Sequence, residues 1–154
     1  MELSDEIIIN APKSTVYAAL NDPEVLRRCI PGCEELIQHS PTELEAKVVL
    51  KIGPVKARFA GTVTLDTAGA PDAFNLMGEG KGGAAGFAKG GAAVTLTDVE
   101  GGTRLAYDAK ADVGGKIAQL GSRLIRGTAA KLSGKFFTAF AAEVSESSAE
   151  SPAA

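Results

Sequence analysis

The feature that most constrains the fold is an alternation of apolar and polar residues with a period of two. It runs through "ELEAKVVLKI" (43–52), "VKARFAGTVTLD" (55–66) and "TRLAYDAKADV" (103–113). Because successive side chains of a strand point to opposite faces, each of these segments predicts a strand with one apolar face. Turns rich in Gly and Pro separate the segments. The pattern therefore predicts successive hairpins and an antiparallel sheet with one buried and one solvated face.

Helical signals lie on either side of this sheet. A first strand at 2–10 is followed by Pro12 and then by Asp22-Pro23, each of which predicts the start of a short helix. From residue 116 to 144, apolar residues recur at helical spacing and predict one long C-terminal helix. We therefore predict an α+β protein, in which a curved antiparallel sheet of about six to seven strands wraps around that helix. The length fits one domain, 1–146, and the polar segment 147–154 predicts a disordered tail.

Small residues dominate the apolar part of the composition. The chain has 18 Gly, no Trp and only 5% aromatic residues. A core built from such residues either packs its backbones closely or leaves space inside. The glycines of the last helix, Gly121, Gly127 and Gly134, leave the same two alternatives open, and a third is that the helix moves as a lid.

The segment "GEGKGGAAGFAKGGAAV" (78–94) matches the G-x-G-x-x-G pattern of dinucleotide-binding loops over its first six residues. That pattern binds phosphate only where it follows a strand and opens a helix. Here the residues that follow alternate as a strand does, so we interpret the segment as a loose hairpin at the rim of the sheet. Phe87, its one large side chain, is then expected to close over an opening as part of a flexible portal.

Catalytic motifs are absent from the sequence. The charged residues of the patterned strands fall on the predicted solvent face, and the single histidine, His39, is expected to be exposed. Cys29 and Cys33 have neither redox nor zinc spacing, so two reduced structural thiols and no metal are expected. The net charge of −3 argues against nucleic-acid binding. These observations favour a binding pocket over an active site, with the phenol of Tyr107, and that of Tyr17 as a second candidate, to orient a ligand.

Four segments in a fixed order carry a family resemblance: "NDPEVLRRCIPGCEEL", "KIGPVKARFAGTV", "GEGKGGAAGFAKGGAAVTL" and "GTRLAYDAKADVGGKIAQLGSRLIRGTAAKLSGKFF". Together they resemble the CoxG subunit of carbon monoxide dehydrogenase, a family of the START/Bet v1-like (SRPBCC) superfamily. The likeness extends from about residue 2 to residue 143 and implies the helix-grip fold. It also implies an accessory protein of molybdenum hydroxylases that holds a hydrophobic molecule, such as a quinone or a lipid, and recruits the enzyme to the membrane.

Several members of that family carry a longer C-terminal extension with an apolar anchor, whereas this sequence ends in "SESSAESPAA". We therefore expect no anchor of its own, and a cytoplasmic location with peripheral membrane contact at most. No tightly bound cofactor is expected besides the quinone or lipid. Two alternatives remain open: an enzyme of the cyclase or hydrolase type on the same fold, and an assembly factor with a dry core.

The candidate site residues follow from the inward positions of the strands and helices. The residues expected to bind ligand are apolar or aromatic: Leu26, Ile30, Leu50, Phe59, Leu76, Phe87, Leu96, Tyr107, Leu120, Leu124 and Phe136. The last helix also carries a run of cations with no acid before Glu143. Within it, Arg123 and Arg126 are the residues that we expect to dock on an acidic partner or an anionic membrane, unless the run is only a solvated face.

Overall fold

The structure, a computed structural model, describes the backbone of residues 1–150 and the side-chain surroundings of residues 1–145. Its strands and helices follow the predicted order. They are β1 (Glu2–Ile9), α1 (Lys13–Leu20), α2 (Pro23–Cys29), β2 (Cys33–Ser40), β3 (Glu43–Ile52), β4 (Val55–Asp66), β5 (Ala73–Lys81), β6 (Phe87–Val99), β7 (Gly102–Gly114) and α3 (Ser122–Glu150). Two short 3-10 helices, Gly83–Ala85 and Lys116–Leu120, precede β6 and α3.

All seven strands form one antiparallel sheet in the order β1-β7-β6-β5-β4-β3-β2. Strands β2 to β7 are consecutive neighbours, as expected when short turns join antiparallel strands. Only β1 departs from sequence order, because α1 and α2 carry the chain from β1 at one edge to β2 at the other. The predicted α+β architecture is thus confirmed, with a strand number inside the predicted range.

The alternation in the sequence corresponds to the two faces of the sheet. Phe74 and Val94 are buried and lie opposite each other on β5 and β6, whereas their neighbour Met77 is 65% exposed on the other face. We call the face that carries the buried residues the inner face. Its opposite, the outer face, carries nearly all the charged residues of β3 to β7.

The first two helices begin and end where the sequence indicates. Asp22 caps α2, since its Oδ1 accepts a hydrogen bond of 3.0 Å from the backbone N–H of Glu24, and Pro23 occupies the first helical position. At the other end of α2, Arg28 Nε lies 2.6 Å from Glu143 Oε1 and ties the helix to α3. The two helices thus close one end of the inner face.

Buried side chains form two separate clusters. The larger, first cluster joins β1, α1, α2 and the later turns of α3 to the inner face, and contains Ile9, Val16 and the fully buried Phe140. The second cluster consists of Phe59, Ala85 and Ile117, at the end of the sheet where the β3–β4 turn lies. The chain therefore encloses the inner face from both ends rather than with one continuous core.

The C-terminal segment differs in one respect from the predicted single helix. Residues 116–120 form a 3-10 helix, and Gly121, with a φ of +95°, separates them from α3. Only glycine adopts this left-handed region without strain, so the direction of the chain changes there. The predicted domain boundary at residue 146 lies within α3, which continues to Glu150, and residues 151–154 of the expected tail lie outside the described residues.

Candidate ligand-binding site between the sheet and the C-terminal helix

The middle of the inner face, between the two clusters, is lined by small residues. One cross-strand row runs Ala46, Gly61, Gly80 and Ala88, and the next passes through Gly78, Gly90 and Ala111. Because these residues have a methyl group or no side chain, the sheet contributes little volume here. The alternation in the sequence places them inward, and their size leaves room in front of them.

Gly80 gives the clearest measure of that room. A Cβ atom built on Gly80 meets no other atom within 4 Å, whereas one on Gly82 would lie 2.5 Å from the ring of Phe59. Gly80 has an ordinary strand conformation and is not at a turn. The absence of a side chain at this position therefore leaves open space on the inner face.

The helix opposite this region is not fully packed either. From residue 122 to 139, no residue of α3 is buried, and its half-buried residues recur at helical spacing. These are Ile125, Thr128, Ala129, Leu132, Ser133, Phe136, Phe137 and Ala139. Only further along do Phe140 and Val144 become buried, at 0% and 1% exposure. Phe136, Phe137 and Ala139 pack against the first cluster, whereas residues 122–135 of α3 present a mostly apolar face that neither core cluster covers.

A groove beside α3 leads towards this region. It has a volume of about 760 Å³ and lies between the β1–β7 edge and the start of α3, where Leu3, Val113 and Ile125 line it together with Arg123 and Arg126. A second groove of about 220 Å³ continues it along β1 and α3, since both share Leu3 and Ala130.

Four predicted ligand-binding residues belong to the first cluster or pack against it. Leu96 is only 3% exposed and is part of the buried core, while Leu76, Tyr107 and Phe136 are half-buried at its margin. The Tyr107 ring stacks on Phe137, with ring centroids 5.1 Å apart, and lines the smaller groove. Leu76, Tyr107 and Phe136 thus remain candidates for ligand contact, whereas Leu96 acts as core.

Three further predicted residues lie in the second cluster or against it. Phe59 is 6% exposed, and Leu50 and Leu120 pack around it. Leu26 on α2 and Ile30 at the end of that helix are half-buried. Seven of the predicted residues are therefore divided between the two clusters, and Leu26 and Ile30 belong to neither.

Two predicted residues do not face the inner space. Phe87 is 44% exposed on the outer face, where it pairs with Gly114 and its ring covers that glycine. Phe87 lies on the outer face because Ala88 is the first residue of β6 that faces inward, and every second residue after it does so as well. Leu124 is 38% exposed and packs on Gly53 at the β3–β4 turn, outside the small-residue rows.

The glycine-rich hairpin is packed rather than loose. Its turn is closed by a hydrogen bond from the N–H of Gly82 to the carbonyl of Gly86, 2.8 Å long, and Ala85 is buried in the second cluster. Gly82 lies against the ring of Phe59, and Gly86 lies so close to the carbonyl of Gly114 that no side chain fits between them. Because the Phe87 ring lies on the outer face, the prediction that it closes over an opening of the inner face is wrong.

Nearly all the charged side chains of β3 to β7 lie on the outer face, and Tyr107 is a titratable group on the inner face. His39 is exposed and its Nε2 is 2.9 Å from Glu45 Oε2. Cys29 is buried and Cys33 half-buried, both are free thiols, and burial raises the pKa of each. Within the described residues, no group of three or more His, Cys, Asp or Glu is arranged to hold a metal ion. The described part of α3, like the other described helices, is not both long and apolar enough to cross a membrane.

Sequence reasoning missed several residues of this region. Leu3, Ile125 and Leu132 line the groove or the inward face of α3, and Gly80 faces the open space. Leu132 had a detectable signal, because it precedes Phe136 by one helical turn. Gly80 had one as well, because it alternates in phase with Leu76.

Solved structures share the fold of this chain over nearly its whole length. A conserved protein from Geobacillus kaustophilus is 28% identical, with a TM-score of 0.88, and the match covers 96% of this chain and 97% of that one. A START superfamily protein from Mycobacterium smegmatis is 15% identical, with a TM-score of 0.70 and coverage of 94% and 97%. The ZhuI aromatase/cyclase from Streptomyces sp. R1128 is 11% identical, with a TM-score of 0.64 and coverage of 94% and 93%.

Together, the curved sheet, the long helix and these likenesses define the class of protein as a helix-grip protein of the START/Bet v1-like type. The family model of the carbon monoxide dehydrogenase CoxG subunit matches residues 6–145, and the chain belongs to that family. No match was found among curated proteins.

Proposed function

We propose that this protein is a non-catalytic accessory protein that binds a small hydrophobic molecule between the inner face of the sheet and α3. The ligand is of the quinone or lipid type, and the protein assists or recruits a molybdenum hydroxylase related to carbon monoxide dehydrogenase. The family to which the chain belongs supports the partner, and the fold supports ligand binding.

The observation that carries the proposal is the uncovered inner face around Gly80. Glycine and alanine rows leave space in front of the sheet, and the half-buried face of α3 opposite is mostly apolar. Burying an apolar surface stabilises a complex by about 25 cal/mol per Å². A hydrophobic molecule placed there is therefore stabilised by its contacts with both the sheet and α3. Leu76 and Phe136 are its expected contacts, and Tyr107 offers a phenol for a carbonyl or hydroxyl group.

A non-catalytic role is supported by the position of the charges. General acid–base catalysis needs a titratable side chain within hydrogen-bond reach of a bound substrate. Nearly all the acidic and basic residues of β4 to β7 lie on the outer face, and the pair of His39 and Glu45 is exposed. This arrangement favours carriage of a molecule over its conversion, in contrast to the cyclase named among the structural neighbours.

Native mass spectrometry of freshly purified protein, followed by extraction into organic solvent, tests the proposal. We expect a bound hydrophobic molecule, or saturable binding of added menaquinone or phospholipid. A protein that carries no such molecule and binds neither probe contradicts the proposal and favours a dry-cored assembly factor. Turnover of a bound polyketide would favour the cyclase alternative instead.

The Gly80→Leu variant tests the location of the ligand. Because a Cβ atom at this position meets no other atom within 4 Å, a leucine side chain extends into the space in front of the sheet, and we expect a folded protein that binds menaquinone at least tenfold more weakly. Ala93→Leu is the matched control, because Ala93 is exposed on the outer face of β6. Unchanged affinity in Gly80→Leu, with the same melting temperature as the wild type, would place the ligand elsewhere.

Capture of a purified molybdenum hydroxylase on the immobilised protein tests the partner. If the wild type and Gly80→Leu both bind the hydroxylase, recruitment of the enzyme does not depend on the bound ligand. No binding by either protein contradicts the accessory role, whatever the ligand result.

A further inference from the structure

A groove also lies on the outer face of the sheet, on the side away from α3. Its volume of about 780 Å³ is close to that of the groove beside α3, and Gly90 and Gly91 contribute to its lining. Met77 borders it and is 65% exposed, more than any other large apolar side chain among the described residues. Methionine is enriched in protein interfaces. Because the proposed ligand site lies on the opposite face, this surface is free for another role.

Three neighbouring pairs of residues on β5 and β6 face outward at this groove or beside it. Each pair combines complementary partners: a long apolar side chain and a glycine, an anion and a cation, and a cation and an aromatic ring. In order along the strands, the pairs are Met77 and Gly91, Glu79 and Lys89, and Lys81 and Phe87. Gly91 is half-buried, and the other five residues are exposed. We call these six residues the outer patch.

The outer patch is complementary to itself under twofold symmetry. In a symmetric dimer, a contact of residue i with residue j of the second copy is always accompanied by the contact of j with i. A twofold axis between β5 and β6, parallel to both strands, places β5 of each copy over β6 of the other and keeps the order of residues along the strands. Each residue of the outer patch then faces, in the second copy, the residue that is its cross-strand partner in its own chain.

The apolar pair and the ion pair are both favourable in this arrangement. Met77 reaches the position where Gly91 of the second copy has no side chain. Glu79 lies opposite Lys89 of the second copy, so opposite charges meet. Within the part of the chain that the structure describes, Lys89 forms no ion pair, and the partner of Glu79 is Lys81 at 3.9 Å. Lys89 is therefore available to an anion from outside.

The third pair adds an attraction between a cation and a ring. The ammonium group of Lys81 lies opposite Phe87 of the second copy, whose side chain is 44% exposed. A cation is attracted to the face of an aromatic ring. The ion pair of Lys81 with Glu79 in its own chain joins two well-exposed side chains, and such pairs contribute little. It therefore does not prevent Lys81 from contacting the ring.

The mixture of charges favours a second copy over a strongly acidic or basic partner. The outer patch carries one anion, Glu79, and two cations, Lys81 and Lys89. A partner surface of a single sign would meet at least one like charge, and like charges that face each other weaken association. A second copy instead presents an opposite charge or an aromatic ring to each of the three.

The row of residues beyond Met77 limits the size of the contact. That row contains Asp66 on β4 and Asp108 on β7, on either side of β5 and β6. The same twofold axis places Asp66 opposite Asp108 of the second copy, where the two carboxylates repel each other. The favourable contact is thus confined to the outer patch, and we expect a small interface and a dimer that depends on protein concentration.

We propose that two copies of the chain associate through their outer patches, with the inner face and α3 of each copy directed away from the contact. The inference goes beyond the proposed function and does not require a ligand. The grooves beside α3 stay open in such a dimer, so one assembly offers two ligand sites that face in opposite directions.

Sedimentation velocity over a range of protein concentrations tests the association. We expect the wild type to form dimers as the concentration rises. Glu79→Lys and Lys89→Glu should each weaken the dimer at least about tenfold, because two sets of like charges then face each other. Glu100→Lys and Arg104→Glu are the matched controls, since they change the net charge by the same amounts at exposed residues outside the outer patch. Equal loss in the controls would show a general effect of net charge and overturn the proposal.

A mixture of the two charge variants makes the test specific for the arrangement. Glu79→Lys leaves cations at both positions of one chain, and Lys89→Glu leaves anions at both positions of the other. Each variant repels its own copies, but the two variants are complementary to each other. With one variant isotope-labelled, we expect native mass spectrometry to show heterodimers at the wild-type level and few homodimers. A mixture without heterodimers would overturn the pairing of Glu79 with Lys89.

The apolar contact has its own variant. Met77→Ala should weaken the dimer about tenfold, because it removes the side chain that fills the space at Gly91 of the second copy. Ile8→Ala is the matched control, since Ile8 is 53% exposed on β1, outside the outer patch. Both side chains are exposed, so neither change should lower the melting temperature appreciably. The same loss in both variants would contradict a specific role of Met77.

The outcomes also separate this inference from the proposed function. A wild type that stays monomeric at every concentration overturns the dimer. If that monomer captures a molybdenum hydroxylase and Met77→Ala does not, the outer patch is a surface for the enzyme and the dimer proposal fails. Dimers that bind no menaquinone would support this inference and contradict only the proposed function.

Discussion

At the residue scale, glycines of the inner face serve two opposite purposes. Gly80 has free space in front of it, whereas a Cβ atom on Gly90 would lie 2.2 Å from the carbonyl oxygen of Lys110 on the neighbouring strand. Neither residue requires a left-handed backbone. Gly90 is thus needed for the close approach of β6 and β7, and Gly80 for the volume that it leaves empty.

Substitution by alanine separates these two purposes. We expect Gly90→Ala to lower the free energy of unfolding by about 1–3 kcal/mol, because a strand must shift to accept the methyl group. Gly80→Ala should change it by less than about 0.5 kcal/mol. Urea denaturation of both variants measures the difference. Equal destabilisation would show that the space at Gly80 is closed in solution.

At the scale of elements, local signals decide where the helices begin. The carboxylate of Asp22 caps α2, and Pro23 follows it, so a helix of only seven residues has a defined start. Such a short helix has few internal hydrogen bonds and depends on its cap and on its contacts with α3. The ion pair of Arg28 with Glu143 supplies one of these contacts.

Removal of this cap should be measurable. We expect Asp22→Ala to lower the free energy of unfolding by about 1 kcal/mol, because one backbone N–H loses its acceptor. Asp22→Asn retains a capping oxygen and should be nearly neutral. Urea denaturation midpoints give both values. A loss of the same size in Asp22→Asn would assign the effect to the charge and not to the cap.

Prediction from sequence succeeded where a residue pattern depends on local geometry. Alternation identified the strands and their inner faces, and Pro12 and Pro23 identified the two helix starts. It did not show how deeply an inward residue is buried, so Leu96 in the core and Leu76 at its margin looked alike. Phe87 was misplaced because the glycines of the hairpin hide the phase in which β6 begins.

The sequence pattern also failed to predict the break between the 3-10 helix and α3. Helical spacing of apolar residues continues from Ile117 to Leu120 and on to Leu124, so the pattern gives no sign of an interruption. Gly121 interrupts the helix through its backbone conformation, which a glycine inside a periodic segment permits but does not require. The position of the groove, which depends on this break, was therefore not predictable.

At the scale of the whole molecule, the two clusters hold α3 unequally. The later turns are fixed by Phe140, Val144 and the ion pair of Glu143, whereas residues 122–139 include no buried side chain. Local opening is favoured where few apolar contacts hold a segment. The first half of α3 should therefore open more readily than the second.

Hydrogen exchange measures this difference directly. We expect the backbone amides of 126–135 to exchange at least tenfold faster than those of 137–145 in the free protein, because their segment lacks buried anchors. Binding of menaquinone should slow the first group more than the second, because the ligand covers the uncovered face. Uniform exchange along α3, unchanged by ligand, would contradict this view of the helix.

The rows of glycine and alanine have a consequence for how the family can diversify. The main-chain hydrogen bonds of the sheet do not depend on the side chains of those rows, and the residues that hold the fold together lie at the two ends. A methyl group or a larger side chain added at a position such as Gly80 would reshape the interior while the frame stays the same. Under the proposed function, selectivity for the ligand can thus change through substitutions at open positions such as Gly80, without a new fold and with little loss of stability.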